Sequence, residues 1–370
     1  MNGVTQDFIV IGAGIIGLAA AVRLLEEGAT VTILERGKVG QESSWAGGGI
    51  LSPLCPWDYS DAVTCLTDYS AAMFPAWVAE LYALTGIDAQ YEVSGMLVLP
   101  PYHAEAAQTW RIAHEVDVEQ NVFTRLLPFS EQIDPLHFKV ESLLFLPRIA
   151  QVRNPHLLCA LHKQVLQLGG RIIEYCEVQE IITQNNRLHW LVTSCGKWCA
   201  DRFVITAGAW SKQVLGKHAL GLDIKPMRGQ MLLYKFEEPP LGSIVLQGDL
   251  YLIPRRDGYL LIGSTVEDVG FNKQTTPAAR EHLSERAQRL LPQLKAMPLI
   301  NQWAGLRPGS PSNIPTIGRH PLLNNLFINS GHFRYGVTMS PGSTQILLNE
   351  IMGRSQPFDT SPYQKGWGVY

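Results

Sequence analysis

The feature that most restricts what this chain can fold into lies between Phe8 and Glu35. Four apolar residues, Phe8–Ile11, run into Gly12-Ala13-Gly14-Ile15-Ile16-Gly17, and Leu18–Leu25 follows with few polar positions. The pattern predicts a buried strand, a tight glycine turn and a helix. Gly28 ends that helix, and Thr30–Leu34 reads as a second strand finishing in Glu35. A GxGxxG that leaves a strand and opens a helix, with an acid about twenty residues on, is the Rossmann fingerprint for a dinucleotide. Gly12 permits the turn, Gly14 lets the backbone approach a pyrophosphate, and Gly17 lets helix lie close to strand. The helix N-terminus offers free N–H groups and a positive dipole end to the phosphates. Glu35 is placed to accept ribose hydroxyls and would repel a 2′-phosphate.

A length of 370 residues suggests two domains, or one with a large insertion. With 46% hydrophobic and 17% charged residues the chain can bury a substantial core. A formal charge of −3 gives no reason to expect nucleic acid or an anionic membrane as partner. The N-terminal apolar run has no basic flank, follows Asp7 and is broken by three glycines, so it does not read as a signal peptide. No other stretch is long and apolar enough to span a bilayer. The expectation is a cytoplasmic protein. Six cysteines are scattered, and only Cys195 and Cys199 are close in sequence, with no second pair to complete a zinc site. Reduced thiols and no metal are expected.

The small-residue run Ser43–Leu51 is expected to lie against the dinucleotide, because only small residues permit that approach. Asp61 would cap a helix to about Thr85 with Leu66, Tyr69, Met73, Trp77, Leu81 and Leu84 on its buried face. Gly95–Leu99 reads as a strand, Ala104–Val116 as a helix, Pro128–Leu136 as turns and Pro155–Leu168 as a helix closed by Gly169-Gly170. Strands come next at Arg171–Tyr175 and Val178–Ile182. Phe203–Ile205 is a buried strand that breaks at Ala207-Gly208, which suggests a return to the first sheet. From Pro226 the chain alternates strands at Gly229–Phe236, Leu250–Pro254 and Tyr259–Ser264. A helix at Pro277–Leu291, strands at Trp303–Gly309 and Leu326–Asn329, and a last helix around Ser343–Met352 complete it. There is no internal repeat.

Assembled, these segments resemble the FAD-dependent D-amino acid oxidase family over nearly the whole length. Specific marks are Ile205-Thr206-Ala207-Gly208-Ala209-Trp210-Ser211, Met227-Arg228-Gly229-Gln230, Trp303-Ala304-Gly305-Leu306-Arg307-Pro308 and Ile317-Gly318-Arg319. Gly331-His332-Phe333-Arg334-Tyr335-Gly336 looks like the glycine oxidase branch of that family. The resemblance implies an α/β fold: a Rossmann-type FAD-binding domain interleaved with a substrate domain on a large antiparallel sheet. Residues 1–50, 150–222 and 310–370 would form the first domain, and 51–149 with 223–309 the second.

The resemblance also implies site residues. Ile15 and Ile16 would pass over the pyrophosphate, and Glu35 with Arg36 would hold the adenosine ribose. Ser43, Ser44, Gly48, Gly49 and Ile50 would line the cofactor, and Val178 would meet the adenine by its backbone. His332, Phe333, Arg334, Tyr335, Gly336, Val337 and Thr338 would approach the flavin ring. For the substrate it points to Tyr251, Arg307 and Arg334, with Ile50 and Val266 as walls where relatives carry methionines. The chemistry agrees, since a carboxylate is best met by the two-point fork of a guanidinium, which lysine lacks. Branched Ile50 and Val266 make those walls stiffer than methionine would. His332 is not expected to be catalytic.

The resemblance implies FAD held non-covalently, since no cysteine lies beyond Cys199 where covalent relatives use one. The expected reaction is oxidative deamination of glycine, sarcosine or a small D-amino acid, with O₂ reduced to H₂O₂ and the imine product feeding thiamine thiazole synthesis. A homo-oligomer, specifically a homotetramer, is what the resemblance suggests. The rivals are a dehydrogenase passing electrons to a quinone, a secondary-amine oxidase, and a non-catalytic FAD-binding scaffold.

Overall fold

The computed structural model describes residues 6–114, 119–120 and 143–368. Its first layer is a six-stranded sheet in the order Thr316–Arg319, Leu326–Ser330, Arg202–Ile205, Phe8–Ile11, Val31–Leu34, Arg171–Ile173. All neighbours run parallel except the first pair. Parallel strands are covered on both faces and so read as continuous apolar runs; Phe8–Ile11 and Val31–Leu34 are buried throughout. The return inferred for Phe203–Ile205 is present, since it pairs in parallel with Ile9–Ile11.

The second layer is an eight-stranded sheet: Asn301–Gly309, Lys225–Lys235, Tyr259–Gly263, Leu250–Pro254, Ile244–Gln247, Met96–Leu99, Leu144–Leu146 and Glu119–Gln120. It is antiparallel except where Ile244–Gln247 meets Met96–Leu99. The long strand Lys225–Lys235 pairs along both edges and sets Gly229 opposite Gly305 and Met227 opposite Arg307. A three-stranded sheet of Val178–Gln184, Arg187–Thr193 and Gly196–Trp198 flanks the first layer.

Four helices do most of the covering: α1 (Ile15–Glu26), α2 (Asp61–Thr85), α3 (Asn154–Gln167) and α4 (Gly336–Met352). The buried face of α2 differs from the expected one. Val63, Leu66, Thr67, Ser70, Phe74, Val78, Leu81 and Thr85 are buried, while Leu84 is 51% exposed and Tyr69, Met73 and Trp77 are half-buried. The reason is a close crossing with α4, where a Cβ on Gly342 would meet Ser70 Oγ. Small hydroxyl residues can face the core there because each satisfies itself: Ser70 Oγ donates to Leu66 O at 2.7 Å and Thr67 Oγ1 to Val63 O at 3.0 Å. Ser60, not Asp61, holds the N-cap position.

The last helix starts seven residues before the expected Ser343. It carries Pro341 inside, which removes an N–H that would otherwise reach the Val337 carbonyl. Ser340 Oγ donates to that carbonyl at 2.8 Å instead. The helix Ala104–Ala113 ends before the expected Val116, and that residue and the turns expected at Pro128–Leu136 lie outside the described residues. Through α2, part of the segment 51–149 shares the apolar core of the first layer.

Candidate active site

An elongated cavity of about 1740 Å³, counting its open mouth, runs from the tip of the first strand to the face of the antiparallel sheet. Its lining, which stretches from Gly12 and Glu35 to Tyr251 and Arg307, suits an extended ligand.

At the first-strand end the glycines do what the fingerprint requires. Gly12 has φ +106°, and a Cβ there would sit 2.7 Å from Thr206 O; a Cβ on Gly17 would strike the Gly12 carbonyl. Gly17 itself stands behind the wall, while Gly12, Gly14, Ile15 and Ile16 line it. The N-cap residue, Gly14, has no side chain to cap α1 and no acid occupies its first turn, so the positive end beyond Ile15 N suits an anion. Ile15 N donates to Ser44 Oγ at 3.0 Å. Glu35 is 7% exposed and lines the cavity, its carboxylate accepting Ala13 N and Gly37 N, each at 2.8 Å. Each oxygen keeps a further lone pair. Arg36 Cζ lies over the Trp210 ring, 3.5 Å from its centroid, and the side chain pairs with Glu42 at 2.8 Å. Val178 and Cys176 close this end.

The run Ser43–Ile50 forms the middle of the wall and is held from behind by two residues that sequence reasoning missed. Asn154 Nδ2 donates to Ser44 O at 2.9 Å and Gly47 O at 3.0 Å. Arg255 donates to Gly48 O and to Gln151 Oε1, both at 2.7 Å. Arg255 is only 5% exposed, and burial pulls its pKa down to about 10, which leaves it charged at neutral pH. An arginine directly after the apolar strand Leu250–Pro254 was the available signal.

At the sheet end Tyr251, Arg307, Arg334 and Ile50 meet on the wall. Arg307 donates to Thr265 O at 3.1 Å and Ser264 Oγ at 2.7 Å, and its guanidinium lies where any side chain on Gly229 would collide. Removal from solvent lowers its pKa, while the Tyr251 hydroxyl, within hydrogen-bonding reach, opposes that. Tyr251 Oη also donates to Met231 Sδ at 3.3 Å. Val266 is not on the cavity wall and is 39% exposed. Its neighbours explain why: Thr265 and Glu267 turn inward into a hydrogen-bonded group with Arg228 and Gln230, and Val266, between them on the chain that leaves the strand at Gly263, faces outward. Hydrogen bonds from these partners, Arg228 first, pull the Glu267 carboxyl down to about 2 against the opposing effect of burial. Ser264, Thr265 and Glu267 were not read from the sequence.

His332, Phe333, Arg334, Tyr335, Gly336 and Val337 line the cavity where α4 begins. Thr338 sits behind it and donates to Ile50 O at 3.0 Å. α4 likewise has no side-chain cap and no acid in its first turn. His332 is 2% exposed, and burial pushes its pKa down to about 3, so it is neutral. Burial also raises the Tyr335 phenol, which is hydrogen-bonded to Tyr59. The wall acids Glu35, Glu42 and Glu177 belong to the first-strand half, Glu177 beside Val178. Among the described residues neither Arg307 nor Arg334 has an ion-pair partner; Arg307 bonds to neutral oxygens and Arg334 lies 5.6 Å over the Phe333 ring.

Three polar atoms of wall residues, His332 Nε2, Asn329 Oδ1 and Asn154 Oδ1, are buried with no hydrogen-bond partner. Together with the N-terminal helix ends they fit a long ligand carrying phosphates at one end and a polar ring at the other.

Comparison with known proteins agrees with this geometry. The family model described as FAD dependent oxidoreductase matches residues 7–349. A glycine oxidase of Pseudomonas putida is 37% identical over 360 residues, covering 97% of this chain and 98% of the relative. The bifunctional protein ThiO/ThiG of Trichormus variabilis is 30% identical over 370 residues, 98% of this chain and 56% of the relative. The crystal structure of glycine oxidase from Geobacillus kaustophilus superposes with a TM-score of 0.90 at 26% identity, covering 97% of this chain and 98% of that one.

Proposed function

Because the chain belongs to the family of FAD-dependent oxidoreductases and is an FAD-dependent amino acid oxidase, we propose that its substrate is glycine or another small amino acid, sarcosine and small D-amino acids included. One observation carries the substrate class. Arg307 sits on the cavity wall with its guanidinium fixed by Ser264 and Thr265, a phenol beside it, and no carboxylate partner among the described residues. A cation so placed is completed by the substrate's carboxylate.

FAD, held by the residues from Gly12 to Ile16, Glu35 and the start of α4, would supply the redox chemistry, oxidation of the amino acid coupled to reduction of O₂ to H₂O₂. The protein's part is positioning and electrostatics. Arg307 and Tyr251 hold the carboxylate, and the Arg334 carbonyl receives the amine, which fixes the direction of the α C–H bond. The amine reacts in its neutral form, its proton lost to solvent before binding is productive. His332 takes no proton, because a group with a pKa near 3 is a negligible base at neutral pH. Ile50 and Tyr335 keep water from the carboxylate site. Gly14, Ile15 and Ile16 at the start of α1 receive the pyrophosphate, and Glu35 the ribose.

By sheet membership, residues 1–50, 150–222 and 310–370 serve the cofactor and 51–149 with 223–309 the substrate. The imine product would be handed to thiazole synthesis for thiamine, a reading supported by the ThiO/ThiG relative, whose length extends well beyond the part this chain matches.

The test is anaerobic mixing of the yellow protein with glycine, sarcosine, D-alanine and D-proline in turn. Bleaching by one of them, with colour and peroxide returning in air, is expected. Bleaching with no fast recovery in air would indicate a dehydrogenase with another acceptor, and no bleaching by any of them would overturn the substrate class.

A further inference from the structure

The fold brings together two thiols that the proposed chemistry does not use. Cys195 is close in sequence to Cys199, yet the thiol it meets in space is Cys176. The ladder between Val178–Gln184 and Arg187–Thr193 ends with Val178 opposite Thr193. Pairing continues one step further, since Ser194 N donates to Glu177 O and Glu177 N to Ser194 Oγ, both at 2.9 Å. Cys195 then sits in the turn into Gly196–Trp198, which tips its sulfur to 3.6 Å from Tyr175 O. Both cysteines touch one hydroxyl: Cys176 Sγ donates to Thr193 Oγ1 at 3.3 Å, and Cys195 N donates to the same oxygen at 3.1 Å. With Glu177 opposite Ser194, Cys176 and Cys195 are the next facing positions of the two strands. Gly196–Trp198 runs back along Leu191–Thr193 and carries Cys199 away toward the far end of that hairpin.

Their environments differ in a way that suits a sensor. Cys195 is exposed, whereas Cys176 is 1% exposed and lines the cofactor cavity beside Val178. Its N–H donates to the backbone carbonyl of Glu35 at 2.8 Å, so Cys176 is tied to the residue at the ribose position. Solvent access to one thiol and a second thiol beside it are two features shared with peroxide-responsive cysteines.

We propose that Cys176 and Cys195 form a peroxide-oxidisable dithiol whose disulfide closes on the wall of the cofactor cavity and loosens FAD. In the first step the Cys195 thiolate attacks one oxygen of H₂O₂ and the O–O bond breaks. Cys195 becomes a sulfenic acid, and the released hydroxide takes up the thiol's proton as water. In the second step the Cys176 sulfur displaces the sulfenic hydroxyl, the S–S bond forms and a second water leaves. Two thiols are oxidised by two electrons and one H₂O₂ is reduced to two waters. That the protein's own turnover is the source of peroxide rests on its oxidase activity; the pair's reactivity does not.

The holoenzyme, freed of reductant, is treated with stoichiometric H₂O₂ without amino acid, alkylated, digested without reduction and read by mass spectrometry. Free FAD in an ultrafiltrate is read in parallel by fluorescence. A Cys176–Cys195 linked peptide and a severalfold rise in free FAD are expected, both reversed by dithiothreitol and both absent in Cys195→Ser. Cys195 ending as sulfinic acid with Cys176 still free, or paired with Cys199, would overturn the proposal. So would a linked peptide with FAD held as tightly as before. Repeating with glycine in place of peroxide, with and without catalase, tests the source alone: linkage with added peroxide but none with glycine would leave the pair standing and count against glycine oxidation as the peroxide source.

Discussion

Glu267 is the residue whose replacement best tests how Arg307, the arginine proposed to meet the substrate, is held. Arg228 donates to it from Nε and Nη2 at 3.1 and 2.9 Å, Gln230 Nε2 at 2.9 Å and Thr265 Oγ1 at 2.8 Å. Thr265 in turn offers its carbonyl to Arg307. Glu267→Gln keeps the shape but sets an NH₂ group against these donors and leaves buried Arg228 without a counter-charge. The carboxyl is pulled from 4.5 to about 2, and at about 1.4 kcal/mol per pH unit this bounds its contribution at about 3 kcal/mol. Solvent reaching Glu267, whose side chain is 26% exposed, trims that to about 2–3 kcal/mol. Because the folded pKa is the lower one, the contribution is complete above the unfolded value of 4.5 and is lost as pH falls toward about 2. Urea unfolding by tryptophan fluorescence should therefore show a wild-type advantage that is flat from neutral pH to about pH 5 and about 1.4 kcal/mol smaller near pH 3.5. In turnover assays KM for the amino acid should rise with kcat nearly unchanged. A variant as stable as the wild type, or a gap that widens in acid, would refute the reasoning.

Arg307→Lys should lower kcat/KM roughly 10–100-fold, mainly through KM, because one charge-assisted contact of about 1.5–3 kcal/mol is lost with the fork; an unchanged KM would place the carboxylate elsewhere. His332→Ala, loaded with FAD, should still be bleached anaerobically by substrate, and loss of that step with FAD retained would restore a catalytic role to the histidine. The wild-type reduction rate should climb with pH as the substrate amine loses its proton, and the climb should persist in His332→Ala, since His332 titrates near 3. Gly17→Ala forces a Cβ onto the Gly12 carbonyl, so the purified variant should be colourless or lower in flavin content and unfold at lower temperature.

The parts of this molecule that are legible in its sequence are those whose physics is local. A strand, a glycine turn and a helix succeed one another between Phe8 and Glu26, and their apolar periods and small residues stand side by side. Ranking side chains by apolarity misjudges the α2 face, because close packing on Gly342 selects small ones whose hydroxyls return to their own helix. The start of α4 is hidden because Pro341 reads as a break, and only the Ser340 hydroxyl shows how the freed carbonyl is satisfied. Arg255 reaches Gly48 across 207 positions and Arg228 reaches Glu267 across 39, and no period or motif connects such pairs. Likeness to relatives puts Val266 on the wall; the inward turn of Thr265 and Glu267 decides otherwise.

Those distant arginines bear on why the cavity selects anions at all. Burying a guanidinium without a carboxylate is costly, and the protein does it repeatedly along this cavity. Arg228 is neutralised by Glu267, which marks it as scaffold. Arg255, behind the glycine run, and Arg307, on the wall, are bonded to neutral oxygens, and Arg334 faces an aromatic ring. The N-terminal ends of α1 and α4, with no acid in their first turns, add partial positive charge of the same sign. Acids that could cancel this field would also compete with phosphate and carboxylate for the same donors. On the proposed reading the counter-charge is left to the ligands: pyrophosphate at α1, the flavin end of the cofactor at α4 and the amino acid at Arg307. Occupancy then stabilises the fold by mass action as well as supplying its chemistry, and a carboxylate that cannot be oxidised should raise the unfolding temperature of the FAD-loaded protein in wild type but not in Arg307→Lys.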